Sequence, residues 1–165
     1  MIFSASTTHA LRAVACLAAG ADGEAMAGRD LARHIGIPSH YLSKVLATLT
    51  RSGLLRASRG AGGGYRLARR ASRIKLIDVV LPFEGQRARP GCLLRPGTAC
   101  GEVGACSAHA AWGAAKQVFV DFLEKTTVAD IGGGELVMPT RRAGSLRRPA
   151  TGAHRGRSTS RPGRA

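Results

Sequence analysis

Residues 37–70 read IPSHYLSKVLATLTRSGLLRASRGAGGGYRLARR, and this stretch decides the fold. Pro38 or Ser39 opens a helix in which Tyr41, Leu42, Val45, Leu46 and Leu49 recur at helical spacing, and Gly53 closes it. LLRASRG and YRLARR then read as two short strands on either side of AGGG, a β-hairpin with a glycine-rich tip. Just upstream, MAGRDLARHIGIP predicts a short helix with Leu31, Ala32 and Ile35 on one face and Gly36 as its stop. Two short helices joined by a tight glycine turn outline a helix-turn-helix, although ordinary αα-hairpins share that outline. A basic hairpin directly after the second helix marks the winged form.

Further out the pattern stays helical. TTHALRAVACLAAG (7–19 and the closing Gly20) places Leu11, Val14, Ala15 and Leu17 on one face, with Cys16 among them as a small core residue. RIKLIDVVLPFEG starts another helix through Leu76, Val79, Val80 and Phe83, which Pro82 is expected to kink or end early. HAAWGAAKQVFVDFLEKTTVADI predicts a long helix from His109, with Trp112, Ala115, Val118 or Phe119, Phe122 and Leu123 as its stripe, then a short turn at TVADI. That stripe can pack on its own domain, on a twin, or on both. The expected class is mainly α with a small β-hairpin wing: a winged helix-turn-helix domain plus a long dimerisation helix. The expected organisation is a DNA-binding domain over 1–85, a cysteine-rich loop over 86–108, the dimerisation helix region over 109–131 and a tail over 132–165.

Charge points to the partner. The chain of 165 residues carries a formal +15 and a pI near 11.4, which calls for a polyanion, double-stranded DNA before an anionic membrane. Aromatic residues make up only 4%, against a single-strand binder that stacks bases on rings. Residues 132–165 hold eight arginines against Glu135, and their Gly, Pro, Ser and Thr content predicts disorder. Ser39, His40, Ser43 and Lys44 are the expected base readers at the start of the second helix. Arg51 at its end, with Arg56, Arg59 and Arg66 on the wing, is placed for phosphate contact, and Arg69, Arg70, Arg73 and Lys75 follow. RGAGGGYRLA lacks the GK[ST] ending of a P-loop, so nucleotide binding is excluded in favour of a tight turn. No nucleophile–base pair or paired carboxylates stand out, and an enzyme is not expected.

The second chemical signal is CLLRPGTACGEVGACSAH, residues 92–109, spaced Cys92-x7-Cys100-x5-Cys106-x2-His109. The N-terminus has no basic n-region before its apolar stretch and fits neither a signal peptide nor a membrane span, so a cytoplasmic protein is expected. In that reducing compartment clustered cysteines serve metals or redox chemistry rather than structural disulfides. The short C-x2-C knuckle of structural zinc sites is missing, and long spacings through Gly-rich chain suit an iron–sulfur cluster better. From the residues alone, a cluster, a zinc ion and a thiol–disulfide switch all stay open. His9, His34, His40 and His154 have no second ligand at suitable spacing.

STTHALRAV, IGIPSHYLSKVLATLTRSGLL, SRGAGGGYRLAR and ACSAHAAWGAAKQVFVDFLEKTTVADI, in that order over residues 1 to about 131, resemble the IscR/NsrR family of bacterial iron–sulfur winged-helix transcription regulators. The resemblance implies a homodimer joined through the helix that starts near His109, acting on a roughly palindromic operator, as a repressor in many members. It implies a [2Fe-2S] or [4Fe-4S] cluster held by Cys92, Cys100 and Cys106, through which operator binding responds to iron–sulfur status, nitric oxide or redox state. A histidine closely following the third cysteine completes the set in one branch, and His109 matches it. Other members take a carboxylate from the partner's first helix, where this chain has Thr7, Thr8 and His9. Three features depart from the family pattern: the long gap before Cys100, Ser43 where many members carry Glu, and the arginine-rich tail.

Overall fold

The computed structural model describes residues 3–20, 24–60, 62–88, 91–92, 94 and 106–132. Cys100, most of the cysteine-rich loop and the tail lie outside them, and so do the expectations placed there. The described chain runs α1 (Ala5–Ala19), α2 (Gly28–His34), α3 (Ser39–Arg51), β1 (Leu55–Ser58), β2 (Gly64–Leu67), α4 (Leu76–Glu84), α5 (His109–Lys125) and α6 (Val128–Gly132). Single 3-10 turns at Ala71–Arg73 and Gly85–Ala88 flank α4.

α1 is the pillar of the core. Its Ala10, Ala13, Val14 and Ala15 are fully or almost fully buried, and small side chains let α3, α4 and α6 approach it closely. Cys16 sits in the same core, and burial pushes its thiol pKa above the ordinary range, as befits a packing residue. α3 adds Leu42, Val45, Leu46 and Leu49, all buried, each contributing about 1.5–3 kcal/mol of hydrophobic stabilisation. The turn from α2 into α3 needs Gly36 at φ 67, and the Ile37 amide bonds back to the Ala32 carbonyl at 3.0 Å.

β1 and β2 pair antiparallel in the register Leu55–Leu67, Arg56–Arg66, Ala57–Tyr65 and Ser58–Gly64. The pleat turns Leu55 into the core and leaves both arginines of the second pair exposed. Met26, between α1 and α2, exchanges two backbone hydrogen bonds with Tyr65, at 3.0 and 2.9 Å, and so fastens the wing to the body. Gly64 is required there: at its φ of 157 a Cβ would lie 2.4 Å from the Met26 carbonyl oxygen.

Pro82 does not end α4 early. The helix continues two residues, to Glu84, and stops at Gly85 with φ 54. The end of the described chain returns to the body: Leu76 donates to the Thr126 carbonyl at 2.9 Å and Val128 to the Ile74 carbonyl at 2.8 Å. α6 then packs against α1 so tightly that a Cβ on Gly132 would meet Ala18 Cβ at 2.8 Å.

Candidate functional site

α3 has two unlike faces. Its apolar stripe is buried, while Ser39, His40, Ser43 and Lys44 are all exposed on the first turns. Arg51 closes the helix and donates to Thr48 Oγ1 at 3.2 Å, which holds its guanidinium along the helix. Arg56, Arg59 and Arg66 are exposed on the hairpin. None of Lys44, Arg51, Arg56, Arg59 or Arg66 forms an ion pair with another described residue. Arg69, by contrast, is paired with Asp78 at 3.0 Å. The helix and wing therefore present cations whose charge no other described residue neutralises, the arrangement that phosphate contact requires.

Ser43 is a special case among the expected base readers. Its hydroxyl donates to the Ser39 carbonyl at 2.8 Å, so it faces outward as an acceptor.

The first turn of α3 is held from behind by polar groups of α1 that the sequence pattern did not single out. Ser6 Oγ and the Tyr41 hydroxyl are 2.9 Å apart, and the His9 ring stands edge-on to Tyr41 with centroids 5.4 Å apart. Arg12 donates to the Ile35 carbonyl at the end of α2. Burial and the neighbouring Arg12 charge hold the His9 pKa below its ordinary value. Ser6, His9 and Arg12 recur every three residues on a helix otherwise rich in alanine, and that stripe was a legible signal.

At the other end of the molecule, Cys92 and Cys106 are both half-buried, and His109 opens α5. The His109 amide donates to the Cys106 carbonyl at 2.9 Å, so these two candidate ligands share one turn. Trp112 Nε1 donates to the Gly91 carbonyl at 2.9 Å, tying the residue before Cys92 to the first turn of α5. The two described cysteines of the loop are thus each anchored to the start of the same helix. Among the described residues no three His, Cys, Asp or Glu side chains are gathered closely enough to hold a metal.

α5 itself is divided. Leu123 is fully buried and Phe119 packs on the core and on Phe3 at a ring distance of 5.9 Å, whereas Val118 is 71% exposed and Phe122 52%. Among the described residues no helix is long and apolar enough to cross a membrane.

A packed helix-turn-helix with an unneutralised basic face and a hairpin wing defines the class: a winged-helix DNA-binding transcription regulator. Residues 3–133 match the profile described as "Rrf2: Iron-dependent Transcriptional regulator", and the chain belongs to that family. It is 34% identical over 143 residues to Rv1287 of Mycobacterium tuberculosis, named for an HTH-type transcriptional regulator, covering 82% of this chain and 84% of the relative. It is 32% identical over 126 residues to the HTH-type transcriptional repressor NsrR of Streptomyces coelicolor, covering 76% and 84%. The fold is similar to that of CymR, the global cysteine regulator of B. subtilis, with a TM-score of 0.68 at 24% identity over 79% of this chain and 95% of that one. The protein is accordingly a regulator and not an enzyme.

Proposed function

We propose that the protein is a homodimeric repressor whose operator affinity is controlled by an iron–sulfur cluster held by Cys92, Cys100, Cys106 and His109. The observation that carries this reading is the anchoring of Cys92, through Gly91 and Trp112, to the turn of α5 that Cys106 and His109 begin. Thiolates on a Gly-rich segment fixed at both ends fit a cluster, which needs soft donors and room for several atoms. When bound, the cluster supplies redox and nitric-oxide reactivity that thiols alone lack.

The chain's own residues do the rest. Ser39, His40, Ser43 and Lys44 read base edges in the major groove, and Arg51, Arg59 and Arg66 hold phosphates. The exposed Val118 and Phe122 seat α5 on a second copy, which fixes the distance between two recognition helices. Half-sites one helical turn apart, ~34–36 Å, make that distance decisive for affinity. Change in the cysteine segment is expressed at the operator because the segment is rooted on α4 at one end and on α5 at the other.

The test is the visible spectrum, iron and sulfide content of anaerobically purified protein, followed by operator binding of loaded and stripped protein across a salt series. Stoichiometric iron and sulfide with a difference in affinity is the expected result. A colourless protein with one zinc per chain would overturn the cluster. A Cys100–Cys106 disulfide formed by peroxide in colourless protein would replace it with a thiol switch.

A further inference from the structure

Glu84 is the last residue of α4, and Cys92 follows eight residues later. Its carboxylate Oε1 accepts from the Ser4 amide at 2.7 Å and from Thr7 Oγ1 at 2.6 Å. Ser4 is the N-cap of α1: its Oγ accepts from the Thr7 amide at 3.3 Å and lies 2.9 Å from Thr7 Oγ1. Thr7 is fully buried and polar, and its hydroxyl is satisfied by that carboxylate together with Ser4 Oγ. A negative charge at a helix N-terminus also opposes the helix dipole. These hydrogen bonds hold the Glu84 pKa below the ordinary carboxylate value.

Ser6 lies inside the same turn and its hydroxyl meets Tyr41, in the first turn of the recognition helix beside His40 and Ser43. Amides of that turn, Tyr41 and Leu42, bond to the Pro38 carbonyl at 3.1 Å each. Two sets of short polar contacts, Glu84 with Ser4 and Thr7 and Ser6 with Tyr41, therefore meet on one backbone turn of α1, between the root of the cysteine segment and α3. We propose that Glu84 is a positioning residue that sets the first turn of α3 through the first turn of α1. As a route for signalling, the proposal rests on the cysteine segment being the sensor. As a mechanical link it stands on geometry alone. Loss of the carboxylate frays Ser4–Thr7, removes Ser6 from Tyr41, and frees the recognition helix to shift.

The test uses the full chain, with Glu84→Ala, the isosteric Glu84→Gln and Tyr41→Phe. In metal-free protein, Glu84→Ala is expected to speed amide exchange about tenfold at Thr7–Thr8 and also at Tyr41 and Leu42. Glu84→Gln restores slow exchange, since its amide oxygen still accepts from Ser4 and Thr7. Tyr41→Phe reproduces only the effect at Tyr41 and Leu42, and adds little to it in Glu84→Ala, as one shared link requires. Faster exchange confined to α1, or no change, overturns the link.

In cluster-loaded and stripped protein, the ratio of operator affinities falls in Glu84→Ala from the usual coupling range of about 5- to 150-fold to within about twofold of one. Iron content stays at the wild-type level. A wild-type ratio kept in Glu84→Ala overturns the signalling route. If wild-type protein itself shows no ratio, the sensor reading falls, and the exchange measurements still decide the link.

Discussion

α3 and α5 are both amphipathic helices, yet they finish the same task differently. α3 buries Leu42, Val45, Leu46 and Leu49, and shows solvent serines, a histidine, basic residues and the small Ala47. α5 is four residues longer and buries one residue, Leu123, while Val118 and Phe122 stand in water. A helix whose outer face is polar and cationic is finished as a folding element and waits for a polyanion. A helix whose outer face is apolar is unfinished and waits for protein, because exposed large apolar side chains in one patch cost free energy until covered. The two faces therefore call for different partners, and single substitutions can tell them apart.

The largest effect is expected from Phe122→Glu. It leaves the fold intact by thermal melting but lowers self-association, read by sedimentation, by about 100-fold or more, since a buried unpaired charge costs several kcal/mol. Operator affinity falls with it. Leu46→Ala is the converse: a loss of about 2–5 kcal/mol in stability that does not vary with protein concentration. If the two variants behaved alike, α5 would be part of the monomer core and the contrast would fail.

Next in size is removal of residues 133–165, which takes away eight arginines and one acid. Binding to all DNA should weaken and the salt dependence flatten, by about 0.9 in slope for each phosphate no longer neutralised, with sequence preference kept. Loss of discrimination would show that the α3 face does not read alone. Lys44→Ala should then cost about 1–3 kcal/mol at the operator, measured against a scrambled duplex. Ser43→Ala should cost less than Lys44→Ala, because Ser43 already commits its proton to Ser39.

The smallest effect concerns pH. With its folded pKa depressed by burial and by Arg12, and with Tyr41 the group facing it from α3, neutral His9 stabilises the fold above its ordinary value of about 6.5. That contribution is lost as pH falls through the lower folded value. Urea midpoints should fall as pH drops below about 7.5, and His9→Gln should flatten the fall.

The sequence disclosed the winged frame well because its signals are local. The Leu42–Leu49 stripe, Gly36 and Gly53, and the paired runs around AGGG each specify geometry within a few residues. Pro82 gave no sign that α4 runs on to Glu84: it denies the Asp78 carbonyl one hydrogen bond, and the burial of Leu76, Ile77, Val79 and Val80 holds the helix all the same. The link from Ser4 and Thr7 to Glu84 was not legible, as it joins positions 77–80 residues apart and neither end carries a motif. Nor does spacing alone separate the alternatives at Cys92, Cys100 and Cys106: the candidate donors are written in the chain, but their arrangement in space is not.

The packing of α6 on α1 has a consequence for how the protein is made. The pillar of the DNA-binding domain leaves the ribosome more than a hundred residues before the Ile131–Gly132 stretch that packs against Ala15 and Ala18. A nascent chain halted within the cysteine segment holds both recognition elements but keeps one side of its central helix uncovered. Prematurely terminated products should therefore be substrates for proteolysis rather than free DNA binders competing for the same operators.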